Sequence, residues 1–96
     1  MKPSIALRHN REQIKRIVAH YHASNVRVFG SVLTRRDTDT SDLDLLVDIT
    51  PDTTLMDIGA IRHELKKLLG IKVDVLTPNS LPERFKDQVL KEARLV

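Results

Sequence analysis

Ile14, Ile17, Val18 and Tyr21 recur at i, i+3, i+4 and i+7, while Arg11, Lys15, Arg16 and His22 lie off that stripe. This is the period of an amphipathic helix, predicted over Arg8–Ala23 and ended by the turn-prone pair Ser24-Asn25. Val26–Phe29 then reads as a short strand stopped by Gly30-Ser31, and residues 32–41 form a polar connection. Leu43–Ile49 is the clearest strand: Leu43, Leu45 and Val47 share one face, and Asp42, Asp44 and Asp48 share the other. Leu55, Ile58, Ile61, Leu65, Leu68 and Leu69 mark a second amphipathic helix and its predicted core stripe. Gly70 stands at its left-handed stop, with Lys66-Lys67 in the last turn where cations suit the helix dipole. Ile71–Leu76 is a third strand with Val73 and Val75 inward and Asp74 outward. Ser80 with Glu83, ahead of Phe85 and Val89, predicts a capping box that opens a final helix, and Leu95-Val96 offers an edge strand.

The order helix, strand, loop, strand, helix, strand, helix predicts an α/β (α+β) fold, a small mixed sheet with helices on one face. The other face carries the carboxylates and is expected to be open. Ninety-six residues, without repeat, linker or low-complexity tract, are expected to form one domain, 1–96. At 41% hydrophobic and 30% charged residues the chain is too apolar for disorder. No apolar run approaches the roughly 20 residues of a membrane span. The N-terminus has no apolar signal core, and cysteine is absent, which removes disulfides, thiol catalysis and Cys-based zinc sites. A cytoplasmic location is the resulting expectation.

The formal charge of +3 conceals a segregation. Residues 1–36 hold eight Lys/Arg against the single Glu12, residues 37–61 hold seven Asp and no base, and residues 62–96 hold eight bases and five acids. A carboxylate block between basic blocks suggests a cation site beside an anion site. Within the block, Asp42 and Asp44 stand two residues apart on one strand face, about 6.5–7 Å along the strand. A strand interior normally avoids Asp, and two unpaired carboxylates repel, so a hard divalent cation such as Mg²⁺ is the natural compensation. If the strand of Asp74 is a neighbour, three carboxylates converge, as two-metal phosphoryl or nucleotidyl transfer requires. Gly30-Ser31 ends the preceding strand, where a tight turn exposes N–H groups and a hydroxyl suited to phosphate. Ten residues separate Ser31 from Asp42, giving G-S-x10-D-x-D on a strand–loop–strand background.

The stretch VFGSVLTRRDTDTSDLDLLVDI, with the later Val73-Asp74-Val75, resembles the signature of the minimal nucleotidyltransferases of the DNA polymerase β superfamily. The likeness extends over nearly the whole chain. It implies a polymerase β-like nucleotidyltransferase fold and Mg²⁺-dependent transfer of AMP from ATP, with two ions, to a tyrosine hydroxyl of a partner HEPN-type toxin. Many such short proteins are the antitoxin half of a toxin–antitoxin module, which is what the resemblance implies here. By the same resemblance Gly30 and Ser31 match the phosphate-binding pair, Asp42 and Asp44 the metal pair, and Asp74 the third carboxylate that positions or deprotonates the acceptor. One departure stands out. The family often has Arg and a small residue four and five positions after the Gly, where this chain has Thr34 and Arg35. Arg35 or Arg36 is then either a phosphate-facing cation or a solvated loop residue.

His9, His20, His22 and His63 make no metal spacing with one another. Asp37 and Asp39 read as solvent-facing turn residues, Asp48 as an exposed strand end, and Tyr21 as core. Three aromatic residues in all argue against direct nucleic-acid binding by base stacking. The alternative to an enzyme is a non-catalytic antitoxin that neutralises its toxin by binding and occlusion. Transfer to a small molecule lacks an acceptor-binding domain.

Overall fold

The computed structural model describes all residues, Met1–Val96. Its elements in chain order are α1 (Pro3–His9), α2 (Arg11–His20), β1 (Ala23–Phe29), β2 (Leu43–Ile49), α3 (Leu55–Leu69), β3 (Val73–Leu76), a 3-10 turn (Pro78–Ser80), α4 (Glu83–Glu92) and β4 (Arg94–Leu95). The sheet runs β3-β2-β1-β4, with β1 antiparallel to β2 and β4 and with β2 parallel to β3. A parallel pair needs a long crossover, and α3 supplies it.

The expected single helix over Arg8–Ala23 is instead two. Asn10 leaves helical geometry at φ −129°, its side-chain amide donates to the Ala6 carbonyl at 2.8 Å, and its own carbonyl receives the Ile14 N–H at 2.9 Å. Asn thus ends one helix and begins the next, the role its short polar side chain favours. Pro3 fixes the first turn of α1, and Asp37 Oδ2 accepts the Ser4 N–H at 2.9 Å, capping α1 from across the chain. Asp37 is therefore a helix cap rather than a free turn residue. Burial pulls its carboxyl upward, but the Ser4 hydrogen bonds, its own N–H and Lys2 outweigh that and hold it below the usual range.

One core fills the helix side of the sheet. Ile14 and Val18 of α2 and Ile61 and Leu65 of α3 pack on Leu43, Leu45 and Val47 with Val73 and Val75. The edge expectation also holds: Arg94–Leu95 pairs with β1, and Val96 is buried and donates to the Val26 carbonyl at 3.0 Å. Two core expectations fail. Leu55 is 90% exposed and Leu68 38%, so both lie outside the buried stripe of α3, which is Ile61, Leu65 and Leu69. The carboxylate face is also not open along its length. Leu46, of the same parity as Asp44 and Asp48, is fully buried, since the chain after β3 folds back there and buries Leu81.

Ser80 and Glu83 do not form a capping box. Ser80 closes the 3-10 turn with Thr77, its Oγ accepting the Thr77 N–H at 2.9 Å, and α4 starts at Glu83 behind Pro82 without a side-chain cap. The box that caps a long helix is Thr54/Asp57 at α3, with Asp57 N–H to Thr54 Oγ1 at 3.1 Å and Thr54 N–H to Asp57 Oδ2 at 2.9 Å. Phe85 is 45% exposed and α4 has no buried residue, so the apolar side of this helix is not part of the core.

Candidate functional site

Strand pairing brings the three aspartates to one end of the sheet. Asp44 lies directly opposite Asp74 in the parallel pair and opposite Phe29 in the antiparallel pair. Asp42 precedes β2 by one residue, and its Oδ2 lies 3.7 Å from Lys72 Nζ. Asp44 is half-buried. Burial pushes its carboxyl up to about 6, assisted by the charges of Asp74 and Asp42 and by a hydrogen bond shared with Asp74.

Phe29 is followed at once by Gly30, with φ +74°. A Cβ at Gly30 would collide with Asp44 Oδ2 and lie 3.1 Å from its Cγ. Two independent constraints therefore demand glycine here: the left-handed backbone, and the carboxylate lying against it. The chain then makes one helix-like turn, with Thr34 N–H to the Gly30 carbonyl at 3.1 Å and Arg36 N–H to the Ser31 carbonyl at 2.8 Å. The N–H groups of Ser31, Val32 and Leu33 have no backbone partner, as at the start of any helical turn. Such groups, beside a hydroxyl and next to carboxylates, suit an anion that arrives with a cation.

No three acidic or imidazole side chains form a ready-made cation cage. The donor set nevertheless fits Mg²⁺: hard carboxylate oxygens on two adjacent strands, one of them with its charged form disfavoured until a cation compensates it. Arg35 and Arg36 are exposed and make no salt bridge, Arg35 with φ +61°.

Asp48 is not an idle strand end. It accepts from Asn25 Nδ2 at 2.7 Å and from Arg27 Nη2 at 2.5 Å. Those two residues flank Val26 where the β1–β2 register shifts, and Asn25 takes φ +53°, so Asp48 pins a β-bulge. Asp39 lies 3.9 Å from the N-terminal ammonium, and both groups are exposed. His22 Nδ1 contacts Asp57 Oδ2 at 3.3 Å, which ties the β1 entry to the start of α3. Tyr21 packs on the core, as its place on the α2 stripe predicts.

Residues 12–96 match the family described as polymerase beta, nucleotidyltransferase. The chain is 36% identical over 88 residues to "Putative protein adenylyltransferase MJ0435" of Methanocaldococcus jannaschii, covering 88% of itself and 95% of the relative. It is 30% identical over 89 residues to "Protein adenylyltransferase MntA" of Thermococcus cleftensis, covering 93% and 86% respectively. A solved structure described as "Structure of putative minimal nucleotidyltransferase" superimposes with TM-score 0.86 at 39% identity, over 97% of this chain and 95% of that one. The fold alone is shared with a toxin-antitoxin crystal structure containing AMP-PNP, at TM-score 0.75 and 18% identity, over 90% and 71% of the two chains.

Proposed function

Since the chain belongs to the polymerase beta nucleotidyltransferase family, we propose that it transfers AMP from ATP, with Mg²⁺, to a tyrosine hydroxyl of a HEPN-type toxin and thereby acts as that toxin's antitoxin. The observation that carries the reading is the in-register pair Asp44–Asp74, with Gly30 held against Asp44 at the end of β1. Relatives named protein adenylyltransferase and a toxin-antitoxin complex of the same fold support the acceptor and partner classes.

In this reading Asp42, Asp44 and Asp74 hold Mg²⁺, which when bound offsets charge developing on the α-phosphate and the leaving pyrophosphate. The Ser31 hydroxyl and the free N–H groups of its turn receive phosphate oxygens, and Gly30 leaves the backbone bare for their approach. Asp74 orients the acceptor hydroxyl and takes its proton. The hydroxyl oxygen bonds to the α-phosphorus, the bond from that phosphorus to the bridging oxygen breaks, and pyrophosphate departs with the electron pair. The partner protein brings the acceptor and its orientation.

The test is incubation of the purified protein with ATP, Mg²⁺ and a purified HEPN-type toxin as the candidate partner, followed by intact mass. A partner heavier by AMP units, with the added mass mapped to tyrosine, supports the reading. A partner that is neutralised at unchanged mass refutes it in favour of occlusion.

A further inference from the structure

Phe85, Gln88, Val89 and Glu92 fall at i, i+3, i+4 and i+7 on α4, one helical stripe with no buried member. Instead of entering the core, the stripe walls a cleft of about 330 Å³ whose opposite side is Phe29, Gly30 and Leu33. The cleft meets the carboxylate site at Gly30, the residue against which Asp44 lies. Its volume is at the small end for ligand pockets and suits a single ring system.

We propose that this cleft is the base subsite for the nucleotide, selecting a purine with an amine rather than a carbonyl at C6; the inference rests on the nucleotidyl-transfer reading above. Phe85 is 45% exposed, an aromatic surface left available for stacking, with the Arg84 guanidinium 5.1 Å from its ring centre. The Gln88 amide offers one donor and one acceptor, the complement of the amine-and-ring-nitrogen edge of adenine. Glu92 accepts from an exocyclic amine and repels the carbonyl that guanine carries in its place. A tyrosine acceptor fits this cleft less well. Its one polar atom must reach the α-phosphate, which would leave Gln88 and Glu92 facing ring carbons. A nucleotide instead places its flat end between α4 and Leu33 and its phosphates across Gly30-Ser31.

The experiment is isothermal titration of the full chain, in Mg²⁺, with ATP, GTP and inorganic tripolyphosphate in turn. The wild type is expected to bind ATP roughly tenfold or more tighter than tripolyphosphate, the contribution of one stacked base. Phe85→Ala should lose that advantage and keep its tripolyphosphate affinity, and Gln88→Leu should bring ATP and GTP together. Neither side chain is buried, so both variants should melt with the wild type. Equal wild-type affinity for ATP and tripolyphosphate, or wild-type ATP affinity in both variants, overturns the base subsite while leaving the transfer reading intact. Retained ATP affinity with lost modification of the partner assigns the cleft to the acceptor and likewise overturns it. A wild type that binds neither ligand refutes the nucleotidyl-transfer reading, and the subsite with it.

Discussion

Asp44→Asn should make the protein more stable at neutral pH and useless as an enzyme. The carboxyl of Asp44 is raised from 3.8 to about 6 by burial and by its acidic neighbours. Each unit is worth about 1.4 kcal/mol, so the upper bound on the cost of ionising it in the fold is about 3 kcal/mol. The group is only half-buried, and solvent screening reduces this to about 1–2 kcal/mol. The sign follows from linkage. The folded state holds this proton more tightly than the unfolded one, so the contribution is fully present below about pH 4 and is lost as pH rises through about 6. Asn removes the titration. Without Mg²⁺ the variant should therefore exceed the wild type by about 1–2 kcal/mol at pH 7.5, on the order of 5–10 °C in Tm for a domain of this size.

The assay is circular dichroism melting in EDTA at pH 4 and pH 7.5, repeated at pH 7.5 with Mg²⁺ and ATP. Asp37 and Asp57 sit below their usual range and weaken the fold as pH falls, but equally in both proteins, so the difference between them isolates Asp44. The gap should open with pH, then close or reverse with Mg²⁺-ATP, because saturating ligand at a hundred times Kd adds about 2.7 kcal/mol to the wild type alone. A gap that is the same at both pH values, or a variant less stable at pH 7.5, would refute the claim that carboxylate crowding is what the fold tolerates here. No gain of wild type over variant with Mg²⁺-ATP would remove the metal–nucleotide role.

Gly30→Ala should cost roughly 1–3 kcal/mol from its left-handed backbone and more from displacing Asp44; in an Asp44→Ala background only the first cost should remain, and a urea double-mutant cycle showing no coupling would contradict the contact. Asp74→Asn should still bind the toxin partner but transfer AMP about 10²–10⁴-fold more slowly, as read by intact mass, and should fail to rescue growth; full rescue without modified partner would promote occlusion. Asp48→Ala should lose the bonds from Asn25 and Arg27 and about 1 kcal/mol in denaturant melts, with ATP affinity by titration unchanged.

Much of the strand arrangement is legible in the sequence because side-chain parity is a two-residue code. Leu43, Leu45 and Val47 against Asp42 and Asp44 define both faces of β2 from residue order alone, and Val73-Asp74-Val75 repeats the code on β3. Parity does not say which strands are neighbours, so the meeting of Asp44 and Asp74 depends on a pairing that only the fold supplies. Several misses share a cause: side-chain bonds that reach residues far away in sequence, or a local break in the helical period. Asn10 breaks the helix predicted over Arg8–Ala23 four residues before its apolar stripe begins at Ile14. Asp37 caps α1 from thirty-three residues away, and Asp48 locks a bulge across the hairpin. Ser80 shows the limit of local signatures, since Thr77-Pro78-x-Ser80 and Ser80-x-x-Glu83 overlap and only the first forms a box. For Gly30 the turn reading is right but incomplete, because the neighbour that excludes a side chain is Asp44, on the next strand.

Topology explains why these residues share one edge. β1 runs antiparallel to β2, so its last residue, Phe29, lies beside the second residue of β2, and Gly30 follows at that height. β3 runs parallel to β2 and in register, so its second residue, Asp74, lies at the same height on the other side. Reversing β3 would pair it with β2 in the opposite sense, and the register that sets Asp74 against Asp44 would be lost. The crossover through α3 is therefore a condition of the site as much as of the core. It follows that the relative placement of Asp44, Asp74 and Gly30 is held by sheet hydrogen bonds and by Leu43, Leu45, Val73 and Val75 beneath them, whereas Ser31 and the cleft side of α4 rest on a turn and on a helix without buried residues. The carboxylate end of the site is thus anchored in the paired strands and the core, while the turn and α4 have no buried residue to anchor them.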